Sequence, residues 1–166
     1  MIREVKPTEV ATFCELCEQH ALDAGLVEHD QLDKKFVKTQ IKKVMINPNM
    51  HILVYVDYND KMLGYAIGAG KQKIWNGTLY GELLLFFVHP GVRKGTTIAD
   101  ELFLAMQDWF IEVGCLYMQA SNMIYNKEFE PDTEWLNKGR NYFKKQEMAE
   151  VGYHFVKNLE DLRWVE

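Results

Sequence analysis

The chain has 166 residues, 48% of them apolar and 13% aromatic, with 24 acidic side chains against 19 lysines and arginines for a formal charge of −5. That length fits one domain over residues 1–166, and the apolar content excludes a disordered chain. The acidic balance excludes a protein held to nucleic acid by general phosphate contacts.

Ile2 to Val5 reads as a short opening strand behind Met1. Ile-Arg-Glu-Val after the first methionine lacks a charged-then-apolar pattern and no run approaches 18 apolar residues, so neither a secretory leader nor a membrane span is expected. Pro7-Thr8-Glu9 starts a helix with Val10, Phe13, Cys14, Cys17 and Ala21 at helical spacing, closed by Gly25. An acidic linker, Glu28-His29-Asp30, leads to a second helix whose predicted buried stripe is Leu32, Phe36, Ile41 and Val44. Asn47-Pro48-Asn49 ends it. His51 to Tyr58 and Met62 to Ala69 are rich in β-branched and aromatic residues, and Asn59-Asp60-Lys61 joins them as a hairpin. Gly81 to Val88 is almost continuously apolar, which predicts a strand buried on both faces. The loop HPGVRKGTT follows, then a helix with the stripe Ile98, Leu102, Ala105/Met106, Trp109 and Val113, capped by Gly114. Cys115 to Ala120, a helix over Trp135 to Lys145 and a strand over Val151 to Val156 complete the chain. The order β-α-α-β-β-β-α-β-α-β predicts a mixed α/β domain with an antiparallel front half.

Most of the chemistry sits in the strand-loop-helix unit over 81–113. A helix N-terminus presents unpartnered N–H groups and a dipole that favours an anion. Gly95 permits close approach, Thr96 and Thr97 add hydroxyls, and Arg93 and Lys94 add charge. Such a loop suits a phosphate or pyrophosphate, although the same composition closes many strand-helix junctions that bind nothing. Neither a P-loop nor a dinucleotide fingerprint is present.

The run Val88-His89-Pro90-Gly91-Val92-Arg93-Lys94-Gly95-Thr96-Thr97-Ile98-Ala99, with Leu102 and Trp109 beyond it, resembles the acetyl-CoA motif of the GNAT N-acetyltransferase superfamily. Small phage or bacterial members look most alike. In that register Lys94 takes the Gln/Arg position of the motif, Thr97 the first glycine and Ala99 the second small residue. The resemblance extends to the whole order of elements. It implies a mostly antiparallel sheet flanked by helices, with splayed central strands and acetyl-CoA as acyl donor. It places pyrophosphate on Arg93, Lys94, Gly95, Thr96, Thr97, Ile98 and Ala99, pantetheine on the backbone of Phe87 and Val88, and Asn122 near the cofactor. Glu82, on the strand before the loop, matches the position of a glutamate base in some members. The tyrosine that protonates the leaving thiolate in many members is replaced here by Phe143, with Tyr142 beside it.

Acetyl transfer needs an amine stripped of its proton, and a carboxylate such as Glu82 can take it directly or through water. The expected function is direct transfer to a primary amine of a small molecule or protein. A non-catalytic GNAT-fold protein binding a host protein or an acyl-CoA is the other reading. Neither nucleic acid nor membrane is expected as a partner, and a homodimer stays open. Cys14-x-x-Cys17-x-x-His20 does not converge on a tetrahedral site from one helix, so no metal is expected. Three cysteines, an odd number, suit reduced thiols in the cytoplasm. Trp75 either lines an acceptor pocket or folds its own loop down. Asp23, Glu28, His29, Asp30 and Asp33 form either a solvated linker or an acidic rim for a cationic amine.

Overall fold

Alternating apolar residues in the middle of the chain form a sheet, and the 3.6-residue stripes on either side of it form the helices that cover it. The computed structural model describes residues 1–24, 33–121, 133–151 and 154–159. Its elements are β1 (Ile2–Glu4), α1 (Val10–Asp23), α2 (Lys34–Met45), β2 (Met50–Val56), β3 (Met62–Gln72), β4 (Leu79–Val88), α3 (Ile98–Glu112), β5 (Tyr117–Ser121), α4 (Thr133–Lys145), β6 (Ala149–Val151) and β7 (His154–Asn158). Among the described residues one seven-stranded sheet runs in the order β1-β2-β3-β4-β5-β7-β6. Every neighbouring pair is antiparallel except β4 and β5. The predicted order holds with one strand added. Of residues 151–156, expected as a single strand, Val151 belongs to β6 and 154–156 to β7, and these two strands pair with each other.

Helices cover both faces. On one side Val10, Phe13 and Leu16 of α1 and Ile41 of α2 pack on Ile52, Val54, Tyr65, Ile67 and Phe87. On the other, α3 carries Ile98, Leu102, Phe103, Met106 and Phe110 onto Ala66, Leu83 and Val88, with Phe143 of α4 and Phe155 of β7 joining that core. The buried arc of α3 therefore includes Phe103 and Phe110, which the predicted stripe omits, while Trp109 is only partly buried. Glycines in the sheet explain this rotation. A Cβ on Gly81 would overlap the Phe110 ring, and one on Gly68 would press on Met106 and Phe110, so α3 sits down where the strands lack side chains. Gly114, at φ +90°, ends α3 as expected.

Two further expectations fail for identifiable reasons. Phe36 is 60% exposed. Asp33 caps α2 through the amides of Lys35 and Phe36, both at 2.9 Å, and from that start Phe36 lies about 140° around the helix from buried Ile41. Leu32 and Gly25 lie outside the described residues. The second failure is in β4, which is not buried on both faces: Leu84 is 38% and Leu85 45% exposed. Among the described residues β4 pairs with β5 at Gly81, Glu82 and Leu83 alone, against Met118, Gln119 and Ala120, while its pairing with β3 continues to Val88. Leu83 faces Gly68 and Leu85 faces Ile67, so Leu84 is an extra residue, a bulge that bends β4 away from β5. The expected splay is therefore present. No helix among the described residues is long and apolar enough to cross a membrane.

Candidate active site

The opening between β4 and β5 runs from Leu83 towards the loop that starts α3. That loop is built from its own side chains. His89 Nδ1 accepts from the amide of Gly91 at 3.2 Å, and Thr96 Oγ1 donates to the carbonyl of Val92 at 2.6 Å. Gly95 takes φ +74°, the left-handed region that favours glycine, with nothing within 4 Å of an added Cβ. Thr97 precedes α3 at φ −96°, a conformation that carries a Cβ without strain. Its hydroxyl donates to the Glu101 carboxylate rather than to the amides of the first turn of α3, which its side chain leaves uncapped. The amides of that turn and the positive end of the helix dipole are thus presented to the opening. Asp100, an acid in the same turn, is held by Lys145 Nζ at 2.9 Å and Gln146 Nε2 at 2.7 Å.

Arg93 does not project into this loop as a free cation. Its Nε donates to the carbonyl of Val88 at 2.7 Å, its guanidinium pairs with Asp23 at the end of α1, and it lies 5.5 Å from the centre of the Phe87 ring. The expected slot of two cations therefore reduces to exposed Lys94, while Arg93 fastens the loop to α1. The acidic rim changes with it: Asp23 is taken by Arg93 and Asp33 by the start of α2, and residues 28–30 lie outside the described residues.

Behind Phe87 a buried cluster closes the floor. The His20 ring stacks on Phe87 at 4.8 Å, and its Nδ1 lies 2.6 Å from the Tyr65 hydroxyl. Burial lowers the His20 pKa to about 4, against a smaller upward pull from Asp23, so the ring is neutral at physiological pH. The same burial pushes the Cys17 thiol up to about 12. Cys14 and Cys17 are free thiols packed against the core under α1.

Glu82 stands where β4 and β5 are still paired, at the closing point of the opening rather than at its mouth, because parallel pairing spans 81–83. Opposite Ala69, it points to the α1 face of the sheet, where Lys71 reaches across from β3 to contact its Oε2. Apart from that ammonium, Oε2 has no hydrogen-bond partner among the described residues. Tyr142 projects from α4 to the other end of the site. Its hydroxyl donates to the carbonyl of Ala99 at 2.9 Å, its ring stacks on Phe86 at 5.7 Å, and burial raises its pKa well above the usual phenol value. Phe143 turns the opposite way, against Phe155 at 5.0 Å. Of these neighbours, the one bearing a hydroxyl faces α3 and β4. Asn122 lies outside the described residues.

No protein-family model and no curated protein matches the sequence. Solved structures do. A GNAT-family acetyltransferase of Staphylococcus aureus Mu50 superposes with a TM-score of 0.72 at 11% identity, over 96% of this chain and 99% of that one. AAC(6')-Iy, bound to the bisubstrate analogue CoA-S-monomethyl-acetylneamine, gives 0.70 at 16% identity over 90% of each chain. An aminoglycoside acetyltransferase from an uncultured soil metagenomic sample gives 0.68 at 13% identity, over 91% of this chain and 90% of that one. This chain has the GNAT fold.

Within the GNAT fold, Phe87, Val88, Arg93, Ile98, Ala99 and Tyr142 gather around the open end of β4, with Lys94 to Thr97 exposed beside them. Glu82 sits at the other end of the opening. Sequence reasoning missed Lys71 as its partner. Both residues lie on strands it recognised or adjoined, but their meeting depends on a register that alternation alone does not give. It also missed the Asp23–Arg93 pair, whose members stand 70 residues apart.

Proposed function

We propose that the protein is an acetyl-CoA-dependent N-acetyltransferase that passes the acetyl group directly to a primary amine in the cytoplasm. The observation that carries this reading is the edge of β4 beyond Leu83, which no strand among the described residues pairs, ending beside a helix N-terminus that Thr97 does not cap with its side chain. An extended pantetheine arm fits the edge as a missing strand would, along Phe87 and Val88. A pyrophosphate fits the amides from Lys94 to Ala99, with Asn122 completing the cofactor set. The carbonyl of Val88 already accepts from Arg93, so that edge is offered from its other groups.

Acetyl-CoA supplies an acyl group activated as a thioester. Glu82 takes a proton from the acceptor ammonium once Lys71 has yielded its place, and Tyr142, at the other end of the opening and protonated at neutral pH, returns one to the departing thiolate through water. Thiol release from acetyl-CoA across a library of primary amines tests the reading. Glu82→Gln is expected to bind CoA normally while kcat falls by about 100-fold. Acetyl-CoA binding without thiol release for any amine would instead identify a non-catalytic acyl-CoA binder.

A further inference from the structure

Beside Glu82, on the α1 face of the sheet, lies an open depression of about 600 Å³ that the cofactor-binding elements do not use. Its floor is Gln119, the strand partner of Glu82, with Tyr80, Tyr117 and Val156. Tyr80 and Tyr117 stand ring to ring at 5.5 Å and 6° between planes, and Trp75, 83% exposed, forms part of the wall. Lys73 hangs over this aromatic floor, its Nζ 4.9 Å from the centre of the Tyr117 ring. Just beyond its lining stands the Lys71–Glu82 pair, Lys71 as the strand partner of Tyr80 and Glu82 as that of Gln119. The depression therefore joins an aromatic surface to one ammonium group of its own and borders a second ammonium and a carboxylate.

We infer that this depression is the acceptor site and that its acceptor is an aromatic α-amino acid in zwitterionic form. The inference rests on the acetyltransferase reading and names its substrate class. An α-amino acid carries one ammonium and one carboxylate on a single carbon, so it can exchange partners with the Lys71–Glu82 pair. Its ammonium takes Glu82 and its carboxylate takes the Lys71 ammonium so released, so both members of the broken pair regain a partner, while Lys73 stays over the Tyr117 ring as a second cation beside the carboxylate. Its flat side chain lies on Tyr80 and Tyr117. A polycation such as an aminoglycoside would bring several positive charges to a surface that already holds two. An arylalkylamine would satisfy Glu82 and the rings but leave both lysines without a new partner. In the reaction the amine nitrogen loses two protons, one through Glu82 to solvent and one that balances the proton gained by the thiolate. A C–N bond forms as the C–S bond of the thioester breaks.

Calorimetry on the full chain, with and without saturating CoA, compares L-phenylalanine, phenethylamine and neamine, and thiol release is then measured with each. L-phenylalanine is expected to bind at least tenfold more tightly than phenethylamine, and neamine to give no saturable heat. Tyr117→Ala should weaken L-phenylalanine at least tenfold, and Lys73→Ala should narrow the gap between the amino acid and phenethylamine. Equal or tighter binding of phenethylamine or neamine, no binding of L-phenylalanine, or L-phenylalanine binding indifferent to both substitutions would overturn the assignment. L-phenylalanine bound without thiol release would uphold the site and remove the acetyl transfer. Thiol release with neamine alone would do the reverse.

Discussion

The two ends of β4 are built on opposite principles. At Gly81 to Leu83 the strand is paired on both sides and a phenylalanine of α3 occupies the space where a side chain would be. From Leu85 to Val88 it keeps only β3 among the described residues, and its order comes from what the loop and α1 bring to it: Arg93 on the Val88 carbonyl and His20 on the Phe87 ring. The closed end is held by packing that tolerates no added volume. The open end is held by polar and ring contacts that leave one edge of backbone available. An open edge and a rigid anchor thus share ten residues because each draws on a different kind of interaction.

The contrast breaks most readily at Gly81. Gly81→Val must push a branched side chain into Phe110 and is expected to destabilise the fold by about 3 kcal/mol, whereas Leu85→Ala, at the half-exposed site, costs under about 1 kcal/mol. Urea midpoints measure both, and similar costs would erase the distinction. A smaller effect attaches to His20, behind the open end. Its folded pKa of about 4 lies below the ordinary histidine value of 6.5, so between those values the unfolded chain binds the extra proton. The stabilisation is complete above about pH 6.5 and is lost as pH falls towards 4, by roughly 2–3 kcal/mol. Urea titrations at pH 7 and 4.5 should show that loss, and His20→Phe, which keeps a ring on Phe87, should flatten it. The smallest effect is at the loop. Asp23→Asn loosens a partly exposed pair and is expected to cost under about 1 kcal/mol, and the proposed hold of backbone amides on the anion predicts a CoA affinity changed less than threefold. A tenfold change measured by calorimetry would mean that Arg93 is part of the anion site.

Much of this architecture is legible in the amino-acid order. Turn residues and periodicity locate all the helices and the central strands, and the loop over 89–97 is conspicuous before any coordinates are known. What alternation cannot supply is anything that depends on two elements meeting. Phe110 looks like one apolar residue among several on α3 until the glycine of β4 makes room for it. Phe36 fits a stripe by spacing alone, but the Asp33 cap sets where the turns of α2 begin. Lys71 acquires a role only when β3 and β4 are aligned, and Tyr142 and Phe143 are separated only by the direction each takes from α4.

The single unmatched residue in β4 has a consequence of parity. Glu82 and Phe87 both face α1, yet five positions separate them, an odd step that an unbroken strand would send to opposite sides of the sheet. Leu84 absorbs the odd step. Without it the aromatic floor beneath the open edge of β4 and the carboxylate beside the aromatic depression would stand back to back, with the sheet between them.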